Sequence, residues 1–275
     1  MFKVLKLFIL LGLWFIAFIG CKLGAVKKKI HYELVSDSLY VGQNNYKKEF
    51  AQWKNIYVEC MQNPLFRNAF YMGLQQNVHI GSISNQYATN INKEFSFFDT
   101  SNRKYIINLF AVYNQANCDT KINLSKGLQS EFYSELIRSL ENSGQYQYLV
   151  KYIDTSQIKF KITTIADNSL RPDSLASLLE RTRDTSLLRV KQLLVTPGNA
   201  LLVRTIMIFG FYCEFPLNKK LTLREETNLK NEAFFKIENS GENGSIRMLS
   251  NQQVQVFINK YYTVFGQFYA FKEDK

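Results

Sequence analysis

Few residues of this chain combine a reactive side chain with a useful spacing. Ser156 and Lys159 are three apart, a spacing that on a helix sets a hydroxyl nucleophile one turn from a lysine. The surrounding texture alternates instead, with Ile158, Phe160 and Ile162 against Lys159, Lys161 and Thr163. In a strand, residues three apart point to opposite faces. Glu225 and Glu226 are adjacent carboxylates, which do not converge on one substrate atom and read as a solvated surface. Glu214 follows an apolar run, where a strand end facing a cleft would bury its carboxyl and fit it for acid–base work. A strand end that simply meets solvent accounts for the same position without function. His79, between Val78 and Ile80, is expected on a solvent face, and His31 in an N-terminal tether. Cys21, Cys60, Cys118 and Cys213 show no C-x-x-C spacing and have no histidine near them in sequence, which argues against a zinc site. Gly-x-Ser-x-Gly, Gly-x-Gly-x-x-Gly, Walker-type and His-Glu-x-x-His motifs are absent from the sequence. No catalytic residue, metal ligand or cofactor is therefore assigned. Tyr146, Tyr148 and Tyr152 have the makings of an aromatic platform for sugar rings or a partner protein, although sheet packing explains them as well.

The elements that must position these residues follow from periodicity. Tyr46, Phe50, Trp53, Tyr57, Cys60 and Met61 recur at helical spacing and predict a helix over 44–62. Asn63-Pro64 predicts a second short helix through Met72. Short strands are expected between 78 and 91, and the run 104–113 reads as a strand buried on both faces. A short strand is expected at 121–124. Ser125 opens the clearest helix, with Leu128, Phe132, Leu136, Ile137 and Leu140 on one face and Gly144 at its end. Residues 145–153 fit either a strand or a short helix. Residues 158–163 predict a strand with one wet face, and Pro172 and Asp184 start two leucine-rich helices. Thr196-Pro197-Gly198-Asn199 is a turn, and 201–215 is a central strand or two strands broken at Gly210. A strand is expected at 221–224 and a loop at 241–244. Ser250 with Gln253 resembles a capping box opening a terminal helix, although Val254, Val256 and Ile258 also alternate.

The N-terminus carries the one specific signal. Lys3 and Lys6 precede an unbroken apolar run, Leu7 to Gly20, which is shorter than the roughly 20 residues of a membrane span and within the roughly 7–15 of a signal-peptide core. The run ends in Phe18-Ile19-Gly20-Cys21, which resembles the lipobox of bacterial lipoprotein signal peptides. Gly20 and Cys21 match its two strictest positions, and Phe18 departs from the usual Leu. The resemblance covers residues 1–21 only. It implies cleavage before Cys21 and acylation of that thiol, leaving three cysteines and at most one intramolecular disulfide. A competing reading extends the apolar segment to Val26, with Lys22 snorkelling, as a single transmembrane helix at about 7–26. Lys22, Lys27, Lys28 and Lys29 would then place the rest of the chain in the cytoplasm.

The net charge of +11 is concentrated at that end. Six of the 34 basic residues lie at positions 3, 6, 22, 27, 28 and 29, and the rest of the chain holds 28 against 23 acidic residues. No dense basic stripe supports a nucleic-acid partner. Lys22, Lys27, Lys28 and Lys29 are placed to attract anionic headgroups or to sit in a solvated linker. With 22 Phe and 16 Tyr the chain can build a substantial core.

The expectation is an α+β protein. It has one globular domain with a mixed or antiparallel sheet and several amphipathic helices, behind an N-terminal signal or anchor. Residues 1–20 are the signal peptide, 21–42 the lipidated Cys and basic tether, and 43–275 the globular domain, with a weak boundary near 167–172. The expected role is a membrane-attached envelope lipoprotein that binds a protein or small-molecule partner, held by lipid through Cys21. The alternatives are a lipid-tethered envelope hydrolase and a single-span protein with a cytoplasmic domain.

Overall fold

A computed structural model describes residues 28–35, 47–62, 69–85, 90–96, 109–118, 126–229, 233–237, 242–250 and 252–274. The strands are β1 (Ile30–Leu34), β2 (Phe70–Gln75), β3 (Ser82–Asn85), β4 (Asn90–Ser96), β5 (Phe110–Asn117), β6 (Lys159–Ile162), β7 (Thr164–Leu170), β8 (Ala200–Pro216), β9 (Ala233–Ile237), β10 (Glu242–Ser250) and β11 (Gln253–Glu273). The helices are α1 (Lys47–Met61), α2 (Lys126–Glu141), α3 (Pro172–Arg181), α4 (Thr185–Leu194) and α5 (Leu223–Leu229), with short 3-10 turns at Gln147–Tyr152 and Thr155–Gln157.

Two long strands form the spine. β8, with 17 residues, and β11, with 21, run antiparallel along most of their length. Short strands then tile each outer edge. β3, β7 and β6 lie in turn along β8, extended outward by β4 beyond β3 and β5 beyond β7. β10, β2 and β1 lie in turn along β11, with β9 outside β10. Every pairing is antiparallel, so the sheet is antiparallel and the protein is a strand-rich α+β fold.

The spine exists because alternation persists. Val254, Val256, Ile258, Lys260 and Tyr262 are buried on β11, while Asn259 and Tyr261 between them are exposed. Gly210 marks a break in register, where Phe211 faces Ile258 but Phe209 faces Tyr261. Two residues of β11 therefore oppose one of β8, a β-bulge. Gly210 has φ +71°, and a Cβ there would lie 2.7 Å from the Phe257 ring. Only glycine fits both constraints.

α1 and α2 bury their apolar arcs against the sheet. Trp53, Tyr57, Phe132 and Leu136 join Phe160, Phe211 and Tyr262 in the largest core cluster. Phe132 meets Phe211 edge-on at 4.9 Å, a geometry that adds about 0.5–1.5 kcal/mol beyond area burial. α3 and α4 cover the end of the sheet where β1 starts and β11 stops, packing Leu175, Leu179, Leu187 and Leu194 with Ile30, Leu201 and Phe271. Pro172 opens α3, and Asp184 caps α4 by accepting from the Ser186 amide at 3.0 Å.

Several expectations are corrected. Residues 70–72 are strand, not the end of a second helix, and 63–68 lie outside the described residues. Of the strand expected over 104–113, residues 104–108 lie outside the described residues, and Phe110–Asn117 are strand, with exposed Asn114 and Gln115; 121–124 also lies outside the described residues. Within 145–153, left open between strand and short helix, Gln147–Tyr152 form a short 3-10 helix. Asp167 and Asn168, at the expected weak boundary near 167–172, sit in β7, paired to β8. The 221–224 strand is instead the start of α5. Thr222 caps it, its amide donating to Glu225 at 2.7 Å and its hydroxyl accepting from the Glu225 amide at 3.4 Å. Asn243 and Gly244 belong to β10, not a loop. The terminal helix after Ser250 is β11. Ile30–Leu34, expected in the tether, is β1, bonded to the last residues of β11.

Candidate functional site

A concavity lined by polar residues lies between β2 and α2. It is a cleft of about 630 Å³ lined by Tyr71–Gln76 on one wall and Ser130, Glu131, Ser134, Glu135 and Arg138 on the other. β2 presents its backbone and polar side chains because Gly73, at φ +71°, breaks the strand's alternation. α2 presents a polar row because its apolar arc, Leu128, Phe132, Leu136 and Leu140, is fully committed to the core. Glu131, Glu135 and Arg138 then follow at spacings of four and three, along one stripe of the helix.

The two carboxylates differ in every respect that matters for chemistry. Glu135 is a hub. Its Oε1 accepts from Lys260 Nζ at 3.1 Å, Gln76 Nε2 at 3.0 Å and Ser139 Oγ at 3.3 Å, and its Oε2 from Arg138 at 2.5 Å. Three donors crowd Oε1 and one takes Oε2, and two of the four are cations, so Glu135 is committed as an ion-pair partner. Lys260 is 3% exposed, and this pair ties α2 to the spine beside the bulge. Glu131 has a single donor of good geometry, the Tyr71 hydroxyl at 2.5 Å from Oε1. Its Oε2 is enclosed without a partner. Burial pushes the Glu131 carboxyl up. The Tyr71 bond and the Leu74 amide pull it back, while the charge of Glu49 on α1 raises it further. Burial likewise pushes the Tyr71 phenol far above its usual range, with the Glu131 charge adding to it. The cleft therefore holds one carboxyl shifted upward by burial and one held as an ion-pair hub.

That arrangement suits recognition better than hydrolysis. Acid–base cleavage needs a second group free to act as base or nucleophile. Glu135 is held by the two cations Lys260 and Arg138. Ser130, Ser134, Gln75 and Gln76 supply hydrogen-bonding groups around Glu131, while Met72 and Leu74 give a small apolar wall. The lining fits a polar ligand.

The residues singled out from sequence lie elsewhere. Ser156 donates to Asp154 at 2.6 Å in an exposed turn. Lys159 stands on β6 opposite Glu214 on β8, and Glu214 accepts from Gln255 at 2.7 Å on the open face of the sheet, not in a cleft. Glu225 caps α5, and hydrogen bonds from Thr222 lower its carboxyl. His79 is exposed, and His31 on β1 lies 2.9 Å from Asp274. Tyr146 is buried edge-on against Phe235, and Tyr148 and Tyr152 pack on one another. An aromatic surface exists instead where Phe209 meets Tyr261 and Tyr212 meets Phe257, each pair at 4.6 Å, beside a highly exposed Phe234. Cys60 and Cys118 form a disulfide joining α1 to the end of β5, and Cys213 is a buried free thiol. Cys21, Lys22 and Lys27 lie outside the described residues, whereas Lys28 and Lys29 are exposed immediately before β1.

A second buried polar cluster is structural. Arg204 on β8 grips Asp167 on β7 with Nε at 2.8 Å and Nη2 at 2.5 Å. The Tyr57 hydroxyl of α1 donates to the same carboxylate at 2.7 Å. All three groups are partnered, so the cluster pins α1 to the sheet. Among the described residues no group of His, Cys, Asp and Glu is arranged to hold a metal ion. No helix among them is long and apolar enough to cross a membrane, and the 7–26 segment lies outside them.

No protein-family model matches the chain, and no curated protein sequence matches it.

Proposed function

We propose that this chain is a membrane-attached bacterial lipoprotein of the cell envelope, whose globular domain binds a polar ligand in the cleft between β2 and α2. The observation that carries the attachment is the apolar run Leu7–Gly20 ending in Gly20-Cys21 behind two lysines. The Cys60–Cys118 disulfide supports the same location, because disulfides form and persist outside the reducing cytoplasm. Binding is favoured over hydrolysis because Glu135 is committed to ion pairs with Lys260 and Arg138, which leaves Glu131 without a second free carboxylate.

The test is processing. Globomycin added to the expressing cell should cause the unprocessed precursor to accumulate, and Cys21→Ser should release the protein from the lipid-modified fraction. A Cys21→Ser protein that fractionates and migrates like wild type sinks the proposal. Protease added to intact spheroplasts should digest the globular domain; survival of that domain favours a single span with the domain in the cytoplasm.

A further inference from the structure

Lipid on Cys21 fixes more than a location. Six residues lie between Cys21 and Lys28, the first described residue, and the seven steps of a fully extended chain from one to the other reach at most about 25 Å. The bilayer must therefore lie close to the start of β1. Resting on that lipoprotein reading, we propose that the basic surface around this entry point docks onto the anionic headgroups of the same membrane. The surface is built from Lys28 and Lys29, Arg181 and Arg183 at the α3–α4 turn, and Arg189 on α4.

The structure brings these residues to one end. Glu180, at the end of α3, accepts from the Ile30 amide at 2.8 Å, so Arg181 and Arg183 follow within three residues of the point where the chain enters the sheet. Ile30 is paired with Glu273 of β11, whose carboxylate lies 2.7 Å from Lys191, so α4 meets the same corner. The Asp274 amide donates to the Lys29 carbonyl at 3.0 Å, closing the same corner. The acidic groups here are each engaged. Glu180 holds Ile30, Glu273 holds Lys191, Glu33 holds Lys272, Asp274 lies against His31 and Asp184 caps α4. Arg181, Arg183 and Arg189 are exposed and have no acidic partner among the described residues. Leu188, 39% exposed beside Arg189, adds an apolar side chain to the surface. Unpaired cations at the mouth of a short tether complement an anionic surface, and each contributes when it lies near that surface.

The experiment uses the full lipidated chain, reconstituted into vesicles of phosphatidylcholine alone or of an equal mixture of phosphatidylcholine and phosphatidylglycerol. Tryptic cleavage after Arg181 and Arg183 and amide exchange over 172–194 are read in both. Docking predicts cleavage slowed about tenfold on the mixed vesicles, reversed by raising ionic strength. Arg181→Gln, Arg183→Gln and Arg189→Gln together remove those two cleavage sites, so exchange is the readout for the triple variant. It should lose the anionic-vesicle protection while still floating with both vesicle types. Equal protection on the two vesicle types, with the chain bound to both, overturns docking and leaves the lipid anchor standing. A chain that floats with neither removes the anchor and the docking together.

Discussion

Glu131 and Glu135 show how one helical turn separates two fates for the same side chain. Glu135 falls on the edge of the buried arc of α2 and is filled by four donors, including the buried Lys260. Glu131 has the Tyr71 hydroxyl and the nearby Leu74 amide, and no cation beside it. This difference predicts a pH dependence. An unfolded glutamate ionises near about pH 4.3, and the folded Glu131 carboxyl ionises above its ordinary value. Below both, the two states hold the proton equally. Above the unfolded value only the folded state retains it, so stability falls as pH rises until the folded carboxyl ionises too. Glu131→Gln keeps the neutral form and abolishes that decline. The variant and wild type should have matching urea midpoints near pH 4, with a gap in favour of the variant that widens as pH rises and levels once the folded carboxyl ionises. A gap independent of pH refutes the reading. Tyr71→Phe removes the donor to the ionised carboxylate, so the wild-type decline should steepen. The carboxylates were legible in part, since a glutamate three residues after Phe132 intrudes on the apolar arc of a well-marked helix. Tyr71 was not, because a proline-initiated helix was extended across residues that pair with β11 more than 190 positions later. No local pattern carries that information.

At the scale of elements, local period and long-range pairing compete, and pairing decides. Val254, Phe257, Ile258 and Tyr261 satisfy a helical period, and Ser250 with Gln253 offers it a cap. The same residues also satisfy a strand period, and only the longer stretch separates the two: buried Val256, Lys260, Tyr262 and Val264 fit the alternation. Lys260 obscured it, because a lysine at an inward position is intelligible only once Glu135 is known to meet it. Conversely, α5 was missed because the capping pair Thr222 and Glu225 was read through the alternation of Leu221 and Leu223, whose exposures differ sharply. Helices with a strong apolar arc, such as α2 and α4, were legible because their pattern is complete within one segment. Gly210 was visible as an interruption, but its role as the single residue opposite Asn259 and Lys260 required the partner strand. Its substitution tests the bulge. Gly210→Ala adds a left-handed penalty of about 1–2 kcal/mol and drives a Cβ against Phe257, for a total loss of about 3 kcal/mol. A urea midpoint unchanged from wild type would show that no bulge exists at this position.

The whole molecule couples its fold to its compartment through one covalent bond. Cys60–Cys118 closes 58 residues, with the two Cα atoms 5.2 Å apart, and it ties α1 to β5. On chain-entropy grounds a loop of that size stabilises the folded state by about 4 kcal/mol. Domains of this kind have about 5–15 kcal/mol in all, so reduction would remove a substantial part of the stability. Cys60→Ala should therefore lower the urea midpoint by an amount that reductant reproduces in the wild type, and reductant should add nothing to the variant. The third described cysteine keeps this test clean. Cys213 is fully buried between the strands, and burial pushes its thiol well up, so it resists alkylation until the protein unfolds. Rapid alkylation of living cells then distinguishes the two topologies directly. An exported, lipid-anchored domain keeps Cys60 and Cys118 paired and unlabelled. A domain behind an uncleaved span in the cytoplasm faces a reducing pool, loses the bridge and labels Cys60, which is partly exposed in α1. Labelling of Cys60 in cells whose purified protein forms the disulfide on air oxidation would overturn export. Protection of Cys60 that disappears when the cells are treated with a membrane-impermeant reductant would place the domain outside the cytoplasmic membrane.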